Sequence, residues 1–389
     1  MRHTYCSFNP VAVRKLTVDA LSCALPWRDY RCVTASTLVE VILLVATLGS
    51  SLWAVVRRFH FGFSHETARQ ALDHNLPQPE ALANGLVDAL YGFLPRALRR
   101  RPKDIALDRH DTPFYGKTDT PGVLGGPKKG GTNRAFSYAT AAIVHRGQRW
   151  CVGLVALTNN DPEAAVVAIL EQLQVRGIRI RSLILDRGFF SGHVILALQQ
   201  RSVPFVIGVP RKRGGFTALF QLRSGQVVSH TWKTDRLRRR VTVSMVRTGR
   251  RVRKRWRREV YAFGGVTPAR AVSRSQRAQF YRQLMRRRFG IETKYRQMNQ
   301  GKALTTTTDP RRRLLWLGVA LLLRQAWVWC QRAIAGPRTN WELWRPHESL
   351  RLVVLLEWLA LALREDYPEP TEILLPQPVT SPFHEPATA

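Results

Sequence analysis

The sequence predicts an α/β protein with a mixed sheet, and three observations lead to that class. From residue 103, three β-rich runs come first and strands then alternate with helices. The predicted elements are strands at 105–107, 136–144 and 150–157, a helix at 162–175, a strand at 178–185, a helix at 193–200 and a strand at 204–209. Residues before this region have the periodicity of helices, and a basic segment of strand-like alternation interrupts it. This is the order of an RNase H-like core with a β-rich insertion, preceded by an N-terminal helical domain.

Changes in composition divide the chain into five segments. They are an N-terminal helical, DNA-binding domain at 1–102, the first part of the core at 103–210, a basic β-rich insertion at 211–259, the second part of the core at 260–336, and a C-terminal helix with a loose tail at 337–389. In the first segment we expect helices at 37–56, 64–74 and 79–98, with Ser64 as an N-cap. A helical cap packed on the core, without DNA contact, is an equally good interpretation of this segment.

The charge of the chain indicates its partner. There are 61 Lys and Arg residues against 27 Asp and Glu residues, a formal net charge of +34. A folded protein with this excess repels itself unless a polyanion neutralises it, which points to nucleic acid, with an anionic membrane surface as the rival. The apolar stretches 41–56 and 314–329 are too short or too interrupted by charge to span a bilayer, so we expect buried core helices and no membrane.

The five cysteines are widely spaced and show neither a disulfide framework nor zinc-ligand spacing. We therefore expect a reducing compartment and a cytoplasmic protein. Residues 121–132 are rich in glycine but lack the spacing of a phosphate-binding Walker A loop. This stretch is predicted to be a flexible loop after the first strand.

Three acidic residues are candidates for a metal site. Asp108 follows the apolar run 105–107, Asp186 ends the run 183–185, and Glu292 lies on a helix predicted at 273–298. A carboxylate at the end of an apolar strand is costly to bury without a cation or hydrogen-bond donors. The two aspartates lie on strands that are neighbours in an RNase H-like sheet. Three carboxylates together would form an all-oxygen pocket suited to Mg²⁺ or Mn²⁺.

Two residues close to Asp108 in the sequence, His110 and Asp111, could also take part in the site. Asp111 competes with Asp108 as the first acid, but it is predicted to lie in the turn into Pro113 rather than directly after the strand. His110 is expected to face solvent, with a proton shuttle as the alternative.

Clusters of cations predict where DNA lies. The candidates for DNA contact are Arg211, Lys212, Arg213, Arg238, Arg239 and Arg240 in the insertion, and Arg288, Lys294 and Arg296 around Glu292. Arg288 precedes Glu292 by one helical turn, so a purely structural salt bridge between them is the alternative.

Three motifs together resemble the DDE transposases of the IS4-type insertion-sequence group, in particular its ISH3-like branch. They are Ile-Ala-Leu-Asp-Arg-His-Asp-Thr-Pro-Phe-Tyr-Gly at 105–116, Leu-Asp-Arg-Gly-Phe-Phe at 185–190, and Arg-Arg-Arg-Phe-Gly-Ile-Glu-Thr-Lys-Tyr-Arg-Gln-Met-Asn-Gln at 286–300. The resemblance covers most of residues 35–335. It implies that Asp108, Asp186 and Glu292 bind two Mg²⁺ ions, for which Mn²⁺ can substitute. It also implies double-stranded DNA as substrate, cleavage at element ends, strand transfer into target DNA, and a homodimer on paired ends.

The third motif departs from the group's pattern Tyr-x2-Arg-x3-Glu-x6-Lys. Arg288 and Glu292 match, but Met285 occupies the Tyr position and Asn299 the Lys position. Tyr281 could replace the tyrosine, and Lys294 or Lys302 the lysine. These departures leave one alternative open, a catalytically decayed transposase that acts as a non-catalytic DNA-binding protein.

Overall fold

A computed structural model describes residues 9–145, 148–211, 216–234, 238–252, 255–268, 272–288, 295–335 and 350–367. Its strands are β1 (Lys103–Pro113), β2 (Val123–Lys129), β3 (Thr132–His145), β4 (Gln148–Ala156), β5 (Ile180–Leu185), β6 (Phe205–Gly208), β7 (Val227–Lys233), β8 (Arg240–Val252) and β9 (Arg255–Gly264). Its helices are α1 (Pro10–Ser22), α2 (Ala35–Thr47), α3 (Leu52–Arg58), α4 (His65–Asn75), α5 (Pro79–Gly92), α6 (Arg96–Arg99), α7 (Pro162–Val175), α8 (Gly192–Gln200), α9 (Arg274–Arg288), α10 (Pro310–Ala335) and α11 (Leu352–Arg364).

The described strands form one mixed sheet in the order β2-β3-β1-β5-β6-β9-β8-β7, and β4 also pairs with β3. Strands β1, β5 and β6 are parallel, while β3 is antiparallel to β1 and β4 to β3. This is the RNase H-like arrangement that the sequence predicted. The runs 183–185 of β5 and 205–207 of β6 are wholly apolar and buried, as expected for a parallel sheet with helices on both faces.

The two faces of the sheet bury different helices. Along β1, Ile105 and Leu107 belong to the larger core, which includes residues of α5, α7 and α10. Ala106 lies on the other face, in a smaller core with Leu284 and Met285 of α9. Successive residues of a strand point to opposite faces, so the even-numbered residues of β1 lie on the α9 side.

The basic segment extends the sheet instead of standing apart from it. Strand β9 is antiparallel to β6, and β8 and β7 add to its outer edge. Strands β7 and β8 occur where strand-like alternation was predicted, at 225–232 and 241–246. A helix was predicted at 273–298, and residues 289–294 of that range lie outside the described residues.

The first long apolar helix differs from its prediction at 37–56. Residues 48–51 separate α2 from α3, which bend by 109° relative to each other. Gly49 has a φ of +56°, a conformation that ends helices at little cost in glycine. The side chain of Ser51 then caps α3 by accepting from the Ala54 amide at 3.1 Å. The predicted cap of α4 is confirmed, since Ser64 accepts from the Thr67 amide at 3.1 Å.

The glycine-rich stretch 121–132 is not a flexible loop, and that prediction was wrong. Val123 and Leu124 of this stretch pair with Phe136 and Ala135 of β3, and the stretch thereby forms strand β2 at the edge of the sheet. Gly130 and Gly131 form the two-residue loop of the hairpin between β2 and β3, with φ values of +58° and +88°. Such turns need positive φ at both positions, which glycine allows.

The N-terminal helices share their core with the sheet and the C-terminal helices. Helix α5 packs on α10 and β4, and α1 packs on α11. Gln325 of α10 is fully buried and joins these elements: its Nε2 donates to the carbonyls of Leu90 and Cys151, both at 3.0 Å. Neighbouring Arg324 donates to the Arg149 carbonyl at 2.9 Å, and burial lowers its pKa to about 10. Arg324 and Gln325, two polar residues in the middle of this apolar helix, therefore donate to backbone carbonyls inside the core.

Helix α10 is also the one described helix long and apolar enough to cross a bilayer. In its span Pro310–Ala333, 94% of the most apolar window is buried inside the protein. The bent pair α2 and α3 passes the same length and composition test only if the two helices are counted together.

Candidate active site

Two aspartates follow a pair of facing leucines on adjacent parallel strands. Leu107 of β1 pairs with Leu185 of β5, and Asp108 and Asp186 come next on each strand. Neighbouring strands lie about 4.8 Å apart, so the two acids are side by side. The Asp108 side chain is 14% exposed and that of Asp186 is 36% exposed. Strand β5 ends at Leu185 as predicted, but β1 continues to Pro113, so Asp108 lies within a strand instead of at its end.

A single arginine contacts both carboxylates. Arg288 is 6% exposed and lies in the last turn of α9, above the β1–β5 pair. Its Nη1 is 3.7 Å from Oδ1 of Asp108, and its Nη2 is 3.2 Å from Oδ1 of Asp186. Arg149 of β4 holds this turn in place by donating to the Arg287 carbonyl at 2.6 Å. The guanidinium of Arg288 compensates two partly buried acids, and its predicted contact with DNA stays a prediction.

Asp111 faces the other side of the sheet. Its Oδ1 accepts from Nε of Arg109 at 2.8 Å and from Oγ of Ser137 at 2.6 Å. It lies within β1, where it pairs with Ser137, so the predicted turn into Pro113 was wrong. Odd and even residues of one strand point to opposite faces, and Asp111 therefore cannot join Asp108 at the same cation.

Glu292 and Lys294 lie outside the described residues, whereas Arg288 and Tyr295, the nearest described residues on either side, lie close to Asp108. Arg288 precedes the segment 289–294 and contacts Asp108 directly. Tyr295 follows it, and its hydroxyl lies 2.7 Å from Oγ1 of Thr140, the residue that pairs with Asp108 across β3.

Tyr295 is a site residue that the sequence analysis did not single out. Its ring stacks on His110 with centroids 4.5 Å apart, and His110 is 8% exposed. The prediction that His110 faces solvent was wrong, because this ring covers it. Burial raises the pKa of Tyr295 well above its usual range, and the charge of Asp108 raises it further. Tyr295 is in the third motif, but its contact with β1 depends on tertiary folding.

The residues considered for the altered motif positions occupy different environments. Tyr281 is 1% exposed and its hydroxyl donates to the Val266 carbonyl at 2.7 Å, so it is a core residue and not a substitute for a DNA-contacting tyrosine. Met285 is also buried in the core beneath α9. Lys302 approaches the even face of β1, where its Nζ lies 3.5 Å from Oγ1 of Thr112. Lys302 thus lies on the Asp108 side of the sheet, and its contact with DNA stays a prediction.

The basic residues of the insertion that were predicted to contact DNA are exposed to solvent wherever the structure describes them. The exposed residues are Arg211, Arg238, Arg239 and Arg240. Lys212 and Arg213 lie outside the described residues. Arg296, which follows residues 289–294, is also exposed. The β7–β8 turn is close to the loop after Asp186, because Trp232 stacks on Phe190 with ring centroids 5.9 Å apart. A side chain at Gly192 would also meet Thr234, with a Cβ only 2.6 Å from its Cγ2. Exposed arginines are thereby brought alongside the Asp186 loop.

A second buried carboxylate on the same face was missed by the sequence analysis. Asp104 is 2% exposed and accepts from Arg181 at 2.8 and 2.5 Å, from Ser182 at 2.7 Å and from Arg287 at 2.5 Å. Burial alone would raise the pKa of Asp104, but these donors outweigh it and hold the pKa below its usual value. Arg287 thus ties the last turn of α9 to the start of β1.

We expect the Asp104→Asn variant to lose about 1–2 kcal/mol of unfolding free energy at neutral pH, since both arginine partners are half exposed to water. A carboxyl group with a lowered folded pKa stabilises the fold above its unfolded pKa, near 3.8, and that stability disappears as pH falls through the folded value. Urea unfolding from pH 7 down to pH 3 should show the difference between wild type and variant shrinking below about pH 4. A constant difference would contradict this account.

A model of the family described as "Transposase DDE domain" matches residues 100–324, more than half of the chain. The chain belongs to the transposase DDE domain family. Among solved structures, this transposase domain chain is similar to the cryo-EM structure of the piggyBac transposase synaptic complex with hairpin DNA, with a TM-score of 0.56 and 10% identity over 94% of this chain and 83% of that one. At that identity the similarity concerns the fold alone. A search of curated proteins gave no match.

DDE transposases generally use divalent metal ions, and the acids of this domain fit such a group. Among the described residues no three His, Cys, Asp or Glu side chains gather into a metal site. Asp108 and Asp186 supply the carboxylate oxygens that Mg²⁺ and Mn²⁺ prefer. Both are already in contact with one cation, Arg288, so the pair favours positive charge between its members.

Proposed function

We propose that this protein is a DDE transposase of the IS4-type, ISH3-like group. It cleaves double-stranded DNA at the ends of its element and joins the freed 3′ ends to target DNA. The observation that carries the proposal is the pair of aspartates, Asp108 and Asp186, placed side by side on the central parallel strands and sharing one buried cation.

The two aspartates and Glu292 would hold two Mg²⁺ ions, for which Mn²⁺ can substitute. Bound there, such ions would supply Lewis-acid chemistry, polarising a phosphodiester and lowering the pKa of a water. We include Glu292 in this set from the third motif, and the position of Arg288 and Tyr295, the described residues on either side of it, near Asp108 supports that choice.

The chain's own residues would orient the acids and the DNA. The sheet fixes Asp108 and Asp186 at one level, and Arg288 neutralises them before the site is loaded. The exposed arginines of the β7–β8 turn would contact phosphates near the Asp186 loop. Arg288, Lys294 and Lys302 are proposed to contact DNA once it lies along the even face of β1.

Three wider proposals accompany this function. The helical segment 1–102 would contribute DNA contacts, and Arg57 and Arg58 are exposed in it. The protein would act as a homodimer, because two element ends must be held together for both to be cut. It would do so on the nucleoid, in the cytoplasm of a prokaryotic cell, which fits the +34 charge.

The decisive test uses a duplex that carries the DNA flanking the chain's own gene. With Mg²⁺ or Mn²⁺, we expect cleavage at a fixed position and a free 3′-OH that joins to a supercoiled target plasmid. With EDTA in excess, both reactions should stop, and added Mg²⁺ should restore them. Sequencing gels for the cut and plasmid linearisation for the joining measure the two steps separately.

A duplex of equal length and shuffled sequence is the control, since electrostatic binding alone does not depend on sequence. Binding of both duplexes without cleavage under either metal would contradict the proposed enzyme and favour the decayed, non-catalytic DNA-binding protein. Cleavage without joining would restrict the proposal to a nuclease.

A further inference from the structure

A strongly basic recess lies at the other end of β1 from Asp108. Its volume is about 490 Å³, and it is open to solvent. The cations that line it are Arg100, Arg101, Lys103 and Arg332, joined by His145. These residues come from the connection after α6, the start of β1, the end of β3 and the last turns of α10, so folding brings together charges that are far apart in the chain.

The described lining of this recess contains no carboxylate. The acid next in sequence, Asp104, lies on the other face of β1, where Arg181, Ser182 and Arg287 occupy its oxygens. Burial lowers the pKa of the Lys103 ammonium and the neighbouring charges of Arg101 and Arg181 lower it further, while the charge of Asp104 offsets only part of this effect. Arg101 and Lys103 therefore repel each other, and an anion that entered the recess beside them would relieve that repulsion.

We propose that this recess is a second DNA site, which binds the phosphate backbone of a duplex other than the one at Asp108 and Asp186. Arginine forks match phosphate oxygens, and three of the cations are arginines. The described lining has no Phe, Tyr or Trp side chain on which a base could stack, and phosphate contacts carry no sequence information, so we expect the contact to be independent of sequence. It also has no exposed large apolar residue, which an anionic membrane surface would require for stable insertion.

The position of the recess argues for a separate duplex. Lys103 and Asp108 are five residues apart on one strand, about 17 Å along its axis. An odd and an even residue of a strand also point to opposite faces of the sheet. A straight duplex seated over Asp108 on the α9 face cannot reach Lys103 on the other face. The inference depends on the proposed function only in taking DNA as the polyanion.

The test compares two double variants that each remove two positive charges. Arg101→Gln with Lys103→Gln alters the recess, whereas Lys15→Gln with Arg201→Gln removes two exposed cations that do not line it. Binding of a fluorescent 20-base-pair duplex of arbitrary sequence is measured by anisotropy in EDTA over a range of salt concentrations. Because no cleavage is needed, the result can be read whether or not the chain proves to be an enzyme.

For the recess variant we expect at least tenfold weaker binding than for the control variant, and a slope of log K against log salt reduced by about 1.8, or 0.9 for each of two lost phosphate contacts. Its melting temperature should equal or exceed that of the wild type, because like charges are removed; this excludes misfolding as the cause. Equal affinity and slope in the two variants would overturn the proposal. So would loss of binding to phosphatidylserine vesicles by the recess variant with duplex binding intact.

Discussion

The Asp186→Asn variant is expected to lose DNA cleavage by on the order of a thousandfold or more, while it still binds the same duplex. Asparagine keeps the shape of the side chain but removes the negative charge that attracts a divalent cation. Binding should be unchanged or tighter, since a carboxylate beside a phosphate repels it. Cleavage time courses and binding isotherms on one duplex, with circular dichroism to confirm folding, measure both effects.

Two of the three aspartates of β1, Asp108 and Asp111, provide the comparison that decides the assignment. Asp108→Asn should behave like Asp186→Asn, because the two side chains share one cation. Asp111→Asn should keep cleavage, because Asp111 points to the opposite face and pairs with Arg109 and Ser137. If a folded Asp111→Asn protein lost cleavage while Asp108→Asn kept it, the proposed site would be wrong.

The order of elements and the two aspartates could be predicted because their signals are local. A continuous apolar strand such as 183–185 has no packing reason to end in a carboxylate, so Asp186 stands out in the sequence. The adjacency of Asp108 and Asp186 then follows from the strand order of the fold, and the pairing of Leu107 with Leu185 confirms it. Alternation of strand and helix is likewise visible within short windows.

The features that could not be predicted depend on contacts distant in sequence. The placement of Arg288 over both aspartates requires α9 to cross the parallel strands, and nothing in its helical spacing shows that. Asp104 is an ordinary charged residue at the start of a strand until Arg181 and Arg287 meet it. The glycine-rich run 121–132 indicates a loop when it is considered alone. It contains strand β2 because it pairs with β3, a contact that its composition does not show.

The Arg288→Met variant is expected to be about 2–4 kcal/mol less stable than the wild type without metal, and to gain more stability from Mg²⁺ than the wild type does. Methionine has a similar length and no charge, so the change leaves two partly buried carboxylates facing each other without a cation. The estimate lies below that for a fully buried pair because the Asp186 side chain is 36% exposed. A divalent ion would then replace the lost positive charge. Urea unfolding in EDTA and in saturating Mg²⁺ measures both effects.

Arg287, next to Arg288 in the sequence, supplies a matched control for the Arg288→Met variant. Arg287→Met makes the same change on the same helical turn, but Arg287 contacts Asp104 and neither of the two site aspartates. Arg287→Met should reduce stability and leave the gain from Mg²⁺ as in the wild type. Titration with Mn²⁺, followed by its electron paramagnetic resonance signal, should show tighter binding in Arg288→Met, because Arg288 repels an incoming cation from the same two carboxylates. If all three proteins gained equal stability from Mg²⁺ and bound Mn²⁺ equally, Asp108 and Asp186 would not form the metal site, and Arg288 would be no more than a structural ion-pair partner.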